Sequence, residues 1–129
     1  MSKGTVMVVE DDRLLAKAIG LFLTKRGYSV SVFHNSLDAQ EYLHREQPDS
    51  AVLDIQLPDA DGWSIAKMFR NEGKSQRTPV IMISVLTPDR RKLAEYRIHT
   101  YLQKPFDMGL LIEAVDQAQE TKIANSQSN

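Results

Sequence analysis

The sequence predicts an α/β fold in which a parallel sheet lies between two layers of helices. Three observations carry that reading. Short Val/Ile/Leu runs alternate with helical stretches along the whole chain, the runs are apolar at successive positions as strands buried on both faces require, and several of them end in a polar or charged residue. Strict strand-helix alternation favours right-handed crossovers, and hence a doubly wound sheet. Ligands bind such sheets beyond the carboxyl ends of the strands, so residues distant in the chain can share one site.

Strands are expected at about residues 5–9, 28–33, 50–54, 79–83 and 99–102, and helices at about 13–26, 36–46, 62–72, 88–97 and 107–120. The first strand, Val6-Met7-Val8-Val9, runs into Glu10-Asp11-Asp12. In the first helix Leu15, Ala18, Ile19 and Phe22 recur at spacings of three and four, and Gly27 after Lys25-Arg26 stops it. Asn35 or Ser36 can cap the second helix, and Pro48 and Pro79 each precede a strand. Ala51-Val52-Leu53 leads to Asp54, Asp61 is placed to cap the third helix, and Trp63 is expected to pack near its start. Val80-Ile81-Met82-Ile83 leads to Ser84, and Tyr101-Leu102 lies just before Lys104-Pro105. The last helix offers Leu111, Ala114, Val115 and Ala118 as one apolar face. From Thr121 to Asn129 only Ile123 and Ala124 are apolar, which reads as a flexible tail or the start of a linker after a domain at 1–120.

At 129 residues the chain suits one domain with a real core. Its formal charge is −1, and Arg13, Lys17, Arg70, Arg90, Arg91 and Lys92 are spread over several segments, so no duplex-binding stripe is formed and no direct nucleic acid contact is expected. The absence of cysteine rules out disulfides and thiolate metal sites. The longest nearly apolar stretch, Ala18 to Leu23, falls far below spanning length, and Met1-Ser2-Lys3-Gly4 leads straight into a strand. The expectation is a soluble cytoplasmic protein without membrane contact.

If the strand order is 2-1-3-4-5, strands 1 and 3 are neighbours at the switch point, and Asp11 and Asp54 face each other across the crevice. Glu10, Asp11 and Asp54 together suit a hard cation such as magnesium, which takes oxygen ligands and keeps several waters. A carboxylate can also attack phosphorus when the incoming charge is neutralised, and Lys104 supplies an ammonium for that purpose. Ser84 can donate a hydrogen bond to a phosphoryl oxygen. Taken singly, each feature has a plainer reading: Glu10-Asp11-Asp12 as a helix cap, with Asp12 the capping residue, Asp54 as a turn residue and Tyr101 as simple core. His34, His44 and His99 show no ligand spacing, and Arg90-Arg91-Lys92 reads as a solvated helical face.

Together these residues resemble the receiver domain of two-component response regulators, typified by the single-domain chemotaxis regulator. The resemblance rests on Val-Met-Val-Val-Glu10-Asp11-Asp12, Ala-Val-Leu-Asp54-Ile-Gln-Leu-Pro58-Asp-Ala-Asp-Gly62, Val-Ile-Met-Ile-Ser84 and Tyr101-Leu-Gln-Lys104-Pro105-Phe106, and it covers about residues 4 to 120. It implies a flavodoxin-like five-stranded parallel sheet in the order 2-1-3-4-5. It implies Asp54 as phosphoacceptor, Glu10, Asp11, Asp54 and the Gln56 backbone carbonyl as Mg2+ ligands, Lys104 as the phosphate-pairing lysine, and Ser84 with Tyr101 as the switch. A cis Lys104-Pro105 bond is also implied. The implied partners are a sensor histidine kinase or phosphotransfer protein as donor, and a downstream protein, a linked output domain or a phosphorylation-dependent homodimer as output. The protein is then a switch that assists its own phosphorylation and dephosphorylation, rather than a turnover enzyme.

The sequence departs from the family at Val85, where Ala or Gly usually follows the switch hydroxyl, which suggests slower phosphoryl entry or an altered acyl-phosphate lifetime. The segment from Ser84 to Lys104 is about two residues shorter than usual. Two other functions stay open: a phosphorylation-independent interaction module, for which Val85 argues, and a magnesium-dependent aspartyl-phosphate phosphohydrolase, against which stands the lack of a first-strand Asp-x-Asp and of a cap domain.

Overall fold

The computed structural model describes residues 2–71 and 77–127. Five strands and five helices alternate: β1 (Thr5–Val9), α1 (Arg13–Lys25), β2 (Ser29–Phe33), α2 (Ser36–Arg45), β3 (Ser50–Asp54), α3 (Gly62–Asn71), β4 (Val80–Ser84), α4 (Arg90–Glu95), β5 (Thr100–Gln103) and α5 (Met108–Gln127). The strands form one parallel sheet in the order β2-β1-β3-β4-β5, as the sequence implies.

Because side chains alternate across a strand, the sheet sorts its residues into two cores. Val6, Val8, Val52, Ile81 and Ile83 pack with Ile19 and Leu23 of α1 and with Leu111, Ala114, Val115 and Ala118 of α5. On the opposite face Met7, Val9, Leu53, Val80 and Met82 pack with Ala39 of α2 and with Ile65, Ala66 and Phe69 of α3. Each large aliphatic side chain buried in this way contributes about 1.5–3 kcal/mol. The three inner strands are therefore held from both sides, and their carboxyl ends are fixed relative to one another.

The expected caps are present. Asp12 accepts from the Leu14 and Leu15 amides, Asn35 from Asp38 and Asp61 from Ser64, while Gly27 ends α1 with φ +108°. Four details differ from the expectation. The buried stripe of α1 is Ala16, Ile19 and Leu23, leaving Phe22 about half exposed; two overlapping stripes satisfy the same three-four spacing, and only packing chooses between them. Strands β2, β4 and β5 each begin one residue later than expected, after Tyr28, Pro79 and His99. Helix α4 is only six residues long, capped by Asp89 and followed by Arg97 at φ +52°, and none of its residues is fully buried. Helix α5 continues past residue 120 to Gln127, because Thr121 to Gln127 contains neither glycine nor proline to stop it. The expected end of the third helix at residue 72 and the last two residues of the expected tail lie outside the described residues.

Candidate functional site

Strand register brings the site together. Val9 lies opposite Leu53, Asp54 opposite Ile83 and Ser84 opposite Gln103, so the residues that end β1, β3, β4 and β5 emerge at one level. Glu10 and Ser84 are fully buried there and Asp54 is 3% exposed. Glu10, Asp11 and Asp54 each offer a carboxylate oxygen, and these oxygens lie within 4.8 Å of one another.

Lys104 reaches into this cluster from beyond β5. Its Nζ donates to Asp54 Oδ2 at 2.8 Å and pairs with Glu10 Oε1 at 2.5 Å. The second oxygens are held by backbone: Gln56 N–H donates to Asp54 Oδ1 at 3.0 Å, and Asp12 N–H donates to Glu10 Oε2 at 3.0 Å. The Lys104-Pro105 peptide is cis.

The electrostatics follow from this packing. Burial pushes the Glu10 carboxyl up to about 7; the hydrogen bonds from Lys104 and from the Asp12 amide oppose the shift, and the Asp54 charge adds to it. Burial also disfavours the Lys104 ammonium, but its hydrogen bonds and charge interactions with Asp54 and Glu10 outweigh that, and its pKa lies above the usual lysine value. One ammonium thus faces three carboxylates. Glu10 Oε1 has the Lys104 ammonium, which it shares with Asp54, as its one polar partner among the described residues. Three clustered carboxylates served by a single ammonium suit a hard divalent cation, which takes oxygen ligands.

Ser84 and Tyr101 converge on one residue. Leu86 N–H donates to Ser84 Oγ at 3.1 Å, and the Tyr101 hydroxyl donates to Leu86 O at 2.6 Å. Burial raises the Tyr101 phenol, the Ser84 hydroxyl opposes this and the Asp54 charge reinforces it. Val85, between these anchors, is 56% exposed.

The response regulator receiver domain family model matches residues 6–116. The chain belongs to this family. The receiver is 31% identical over 95% of its length to a probable transcriptional regulator, ycf29, of Porphyra purpurea, covering 60% of that protein. It is 26% identical over 86% of its length to the polar-differentiation response regulator DivK of Brucella anthropi, covering 92% of that protein. A Francisella response regulator receiver domain superposes with a TM-score of 0.81 at 28% identity, over 92% of this chain and 98% of that one. The receiver spans 28–60% of the length of three of the curated relatives it matches. Receivers are phosphoaccepting signalling modules of two-component systems, and none of the described helices of this one is long and apolar enough to cross a membrane.

Of the residues singled out from the sequence, Glu10, Asp11, Asp54 and Lys104 come together in the receiver's acidic pocket, Gln56 joins through its amide, and Ser84 and Tyr101 meet through Leu86. His34 stands beside the pocket, its Nδ1 within 3.0 Å of the Glu10 carbonyl oxygen. Trp63 packs at the start of α3, stacked on Tyr96 at 5.5 Å with Lys92 Nζ 5.5 Å from its ring. Three supporting residues escaped the sequence reading. Leu86 looked like any loop apolar residue. Asp59 accepts from the Ser36 and Leu37 amides and so caps α2 from a different loop, which no local pattern reveals. At Gly62 a Cβ would lie 2.2 Å from the Asp54 carbonyl oxygen, so only glycine lets α3 start against the end of β3; the sequence reading had Gly62 only as the end of a segment that resembles the family, without this contact.

Proposed function

We propose that the domain at residues 1–120 is a phosphorylation-controlled receiver in which Asp54 accepts a phosphoryl group from a phosphohistidine on a sensor histidine kinase or phosphotransfer protein. An Asp54 carboxylate oxygen attacks phosphorus; an O–P bond forms, the N–P bond breaks, and its electron pair returns to the donor imidazole. The observation that carries this reading is Lys104 Nζ, held between Asp54 Oδ2 and Glu10 Oε1. It supplies fixed positive charge beside the attacking carboxylate, where the incoming phosphoryl oxygens need it. A magnesium ion held by Glu10, Asp11, Asp54 and the Gln56 carbonyl would add the remaining neutralising charge. Ser84 then donates its hydroxyl to the acyl phosphate and lets go of Leu86 N–H. Tyr101 loses its fixed acceptor at Leu86 O, turns inward, and the surface around α4, β5 and α5 changes for a downstream protein, a linked output domain or a second copy.

Intact-mass analysis after incubation with acetyl phosphate and magnesium tests this, with Asp54→Asn as control. A labile adduct of one phosphoryl group that needs magnesium and vanishes in the variant supports the reading. Magnesium binding without an adduct, from either acetyl phosphate or a phosphotransfer protein, points instead to a phosphorylation-independent module. Repeated turnover of a small phosphate ester points to a phosphohydrolase.

A further inference from the structure

The edge of the sheet at β2, whose carboxyl end adjoins the acidic pocket, carries a second arrangement. In the parallel pairing with β1, Ser29 N–H bonds Gly4 O and Phe33 O accepts from Glu10 N–H, so Ser29, Ser31 and Phe33 turn their backbone groups inward to β1. The N–H and C=O groups of Val30 and Val32 therefore point outward, and no strand pairs with them among the described residues. Edges are ordinarily blunted by charge, proline or a bulge. Ser29-Val30-Ser31-Val32-Phe33 has neither charge nor proline, and it pairs with β1 in unbroken register.

Beside this edge lies a groove of about 440 Å³ between β2 and α1. Val30 and Val32 form its strand wall, Gly20 and Leu21 its helix wall, and a Cβ on Gly20 would already touch Val32. Arg13 and Lys17 line the end of the groove toward His34, and neither forms an ion pair among the described residues. They are four residues apart on one helix face, a rise of about 6 Å. Side chains on one face of a strand repeat at nearly the same distance, about 6.7 Å.

We propose that the β2 edge and this groove dock an extended partner segment that adds to the sheet as a sixth strand. Its groove-facing side chains are apolar beside Val30 and Leu21 and carboxylates beside Lys17 and Arg13. The backbone bonds to Val30 and Val32 provide affinity and the alternating side chains provide specificity. The charge decides the occupant: a second copy pairing through its own β2 would bring no carboxylate to Arg13 and Lys17, since that strand has none.

The probe is an acetylated, amidated peptide with Thr on one face and Val, Val, Glu, Glu in order on the other, used beside its reversed-order form because either strand direction satisfies the edge. Titration is followed by NMR amide shifts and hydrogen exchange. The expected result is binding tighter than about 1 mM, with new protection of the Val30 and Val32 amides. Arg13→Glu/Lys17→Glu should weaken binding at least about tenfold, a loss of about 1.4 kcal/mol. Val32→Pro removes one outward donor without touching a β1 bond, and should abolish binding while circular dichroism shows the fold retained. If Val32→Pro fails to fold, the charge-reversal variant alone decides. Absence of binding by either peptide overturns the proposal, as does binding without protection of these amides or equal binding of a Lys-for-Glu peptide. Amide protection that rises with protein concentration before any peptide is added overturns it in favour of a second copy.

Discussion

Replacing Lys104 with methionine tests the electrostatic core of the site most directly. The substitution keeps the unbranched stem of the side chain, one atom shorter, and removes its charge, leaving two buried carboxylates, Glu10 and Asp54, without the ammonium that now touches both. Removing one partner of a buried ion pair costs about 3–5 kcal/mol. Glu10 can reduce that cost by taking a proton, since burial has already pushed its carboxyl up to about 7 and loss of Lys104 pushes it further. A group whose folded pKa exceeds its unfolded value binds more protons when folded, so its stabilising effect is complete below the unfolded value near 4.5 and is lost as pH rises through the folded value. The variant should therefore be about 3 kcal/mol less stable than wild type at pH 8, and within about 1 kcal/mol of it at pH 5.5. For a domain of this size that is a Tm loss of roughly 10–15 °C at the higher pH. Thermal and urea melts by circular dichroism at the two pH values measure it. A deficit that is the same at both would refute the reasoning, since it would mean that Glu10 does not titrate against Lys104.

Three further outcomes follow from the same geometry. Magnesium affinity, read from Trp63 fluorescence or calorimetry, should fall up to about tenfold from pH 7 to pH 6, because the proton on Glu10 competes for the site; a flat profile would remove Glu10 from the ligand set. Gly62→Ala should destabilise the fold by about 3 kcal/mol or more in urea titrations, because its Cβ would meet backbone 2.2 Å away that cannot yield as a side chain tip does; a neutral result would show that the β3–α3 turn relaxes freely. Val85→Ala should speed phosphorylation by acetyl phosphate if the branched side chain crowds phosphoryl entry, and unchanged rates would remove that steric argument; its 56% exposure limits the expected gain to a few-fold.

The fold was legible because β1, β3 and β4 are buried on both faces and cannot disguise their apolar runs, and because Asp12, Asn35 and Asp61 cap helices within their own few residues. The acidic pocket was legible for a related reason: an acid, a hydroxyl or a lysine at the end of a buried strand interrupts an apolar pattern and stands out. The rest depends on contacts between segments far apart in sequence. The Asp59 cap on α2 joins residues 22 and 23 positions apart. The end of α4 is held by Arg70, whose guanidinium donates to the Tyr96, Thr78 and Arg97 carbonyls. The stripe that α1 buries is chosen by its neighbours, and α5 runs on because nothing local stops it.

Leu86 shows why such contacts matter to the proposed switch. Its amide is held by a hydroxyl from inside the pocket and its carbonyl by a phenol from β5, so its two sides are fixed by two different strands. Each bond alone is worth about 1 kcal/mol net, less than the differential binding that a population shift from mostly off to mostly on requires. Broken together, they also free the Leu86 side chain, already 42% exposed, and the adjoining loop that leads to a six-residue helix without fully buried residues. Little packing then resists displacement of α4. Its remaining anchors are the contact of Lys92 with Trp63, the stacking of Trp63 on Tyr96, the packing of Leu93 beside them and the hydrogen bonds from Arg70 to the Tyr96 and Arg97 carbonyls. A phosphoryl group on Asp54 that draws Ser84 away from Leu86 would need to overcome only those local contacts, and the two-sided core of the inner strands would stay as it is.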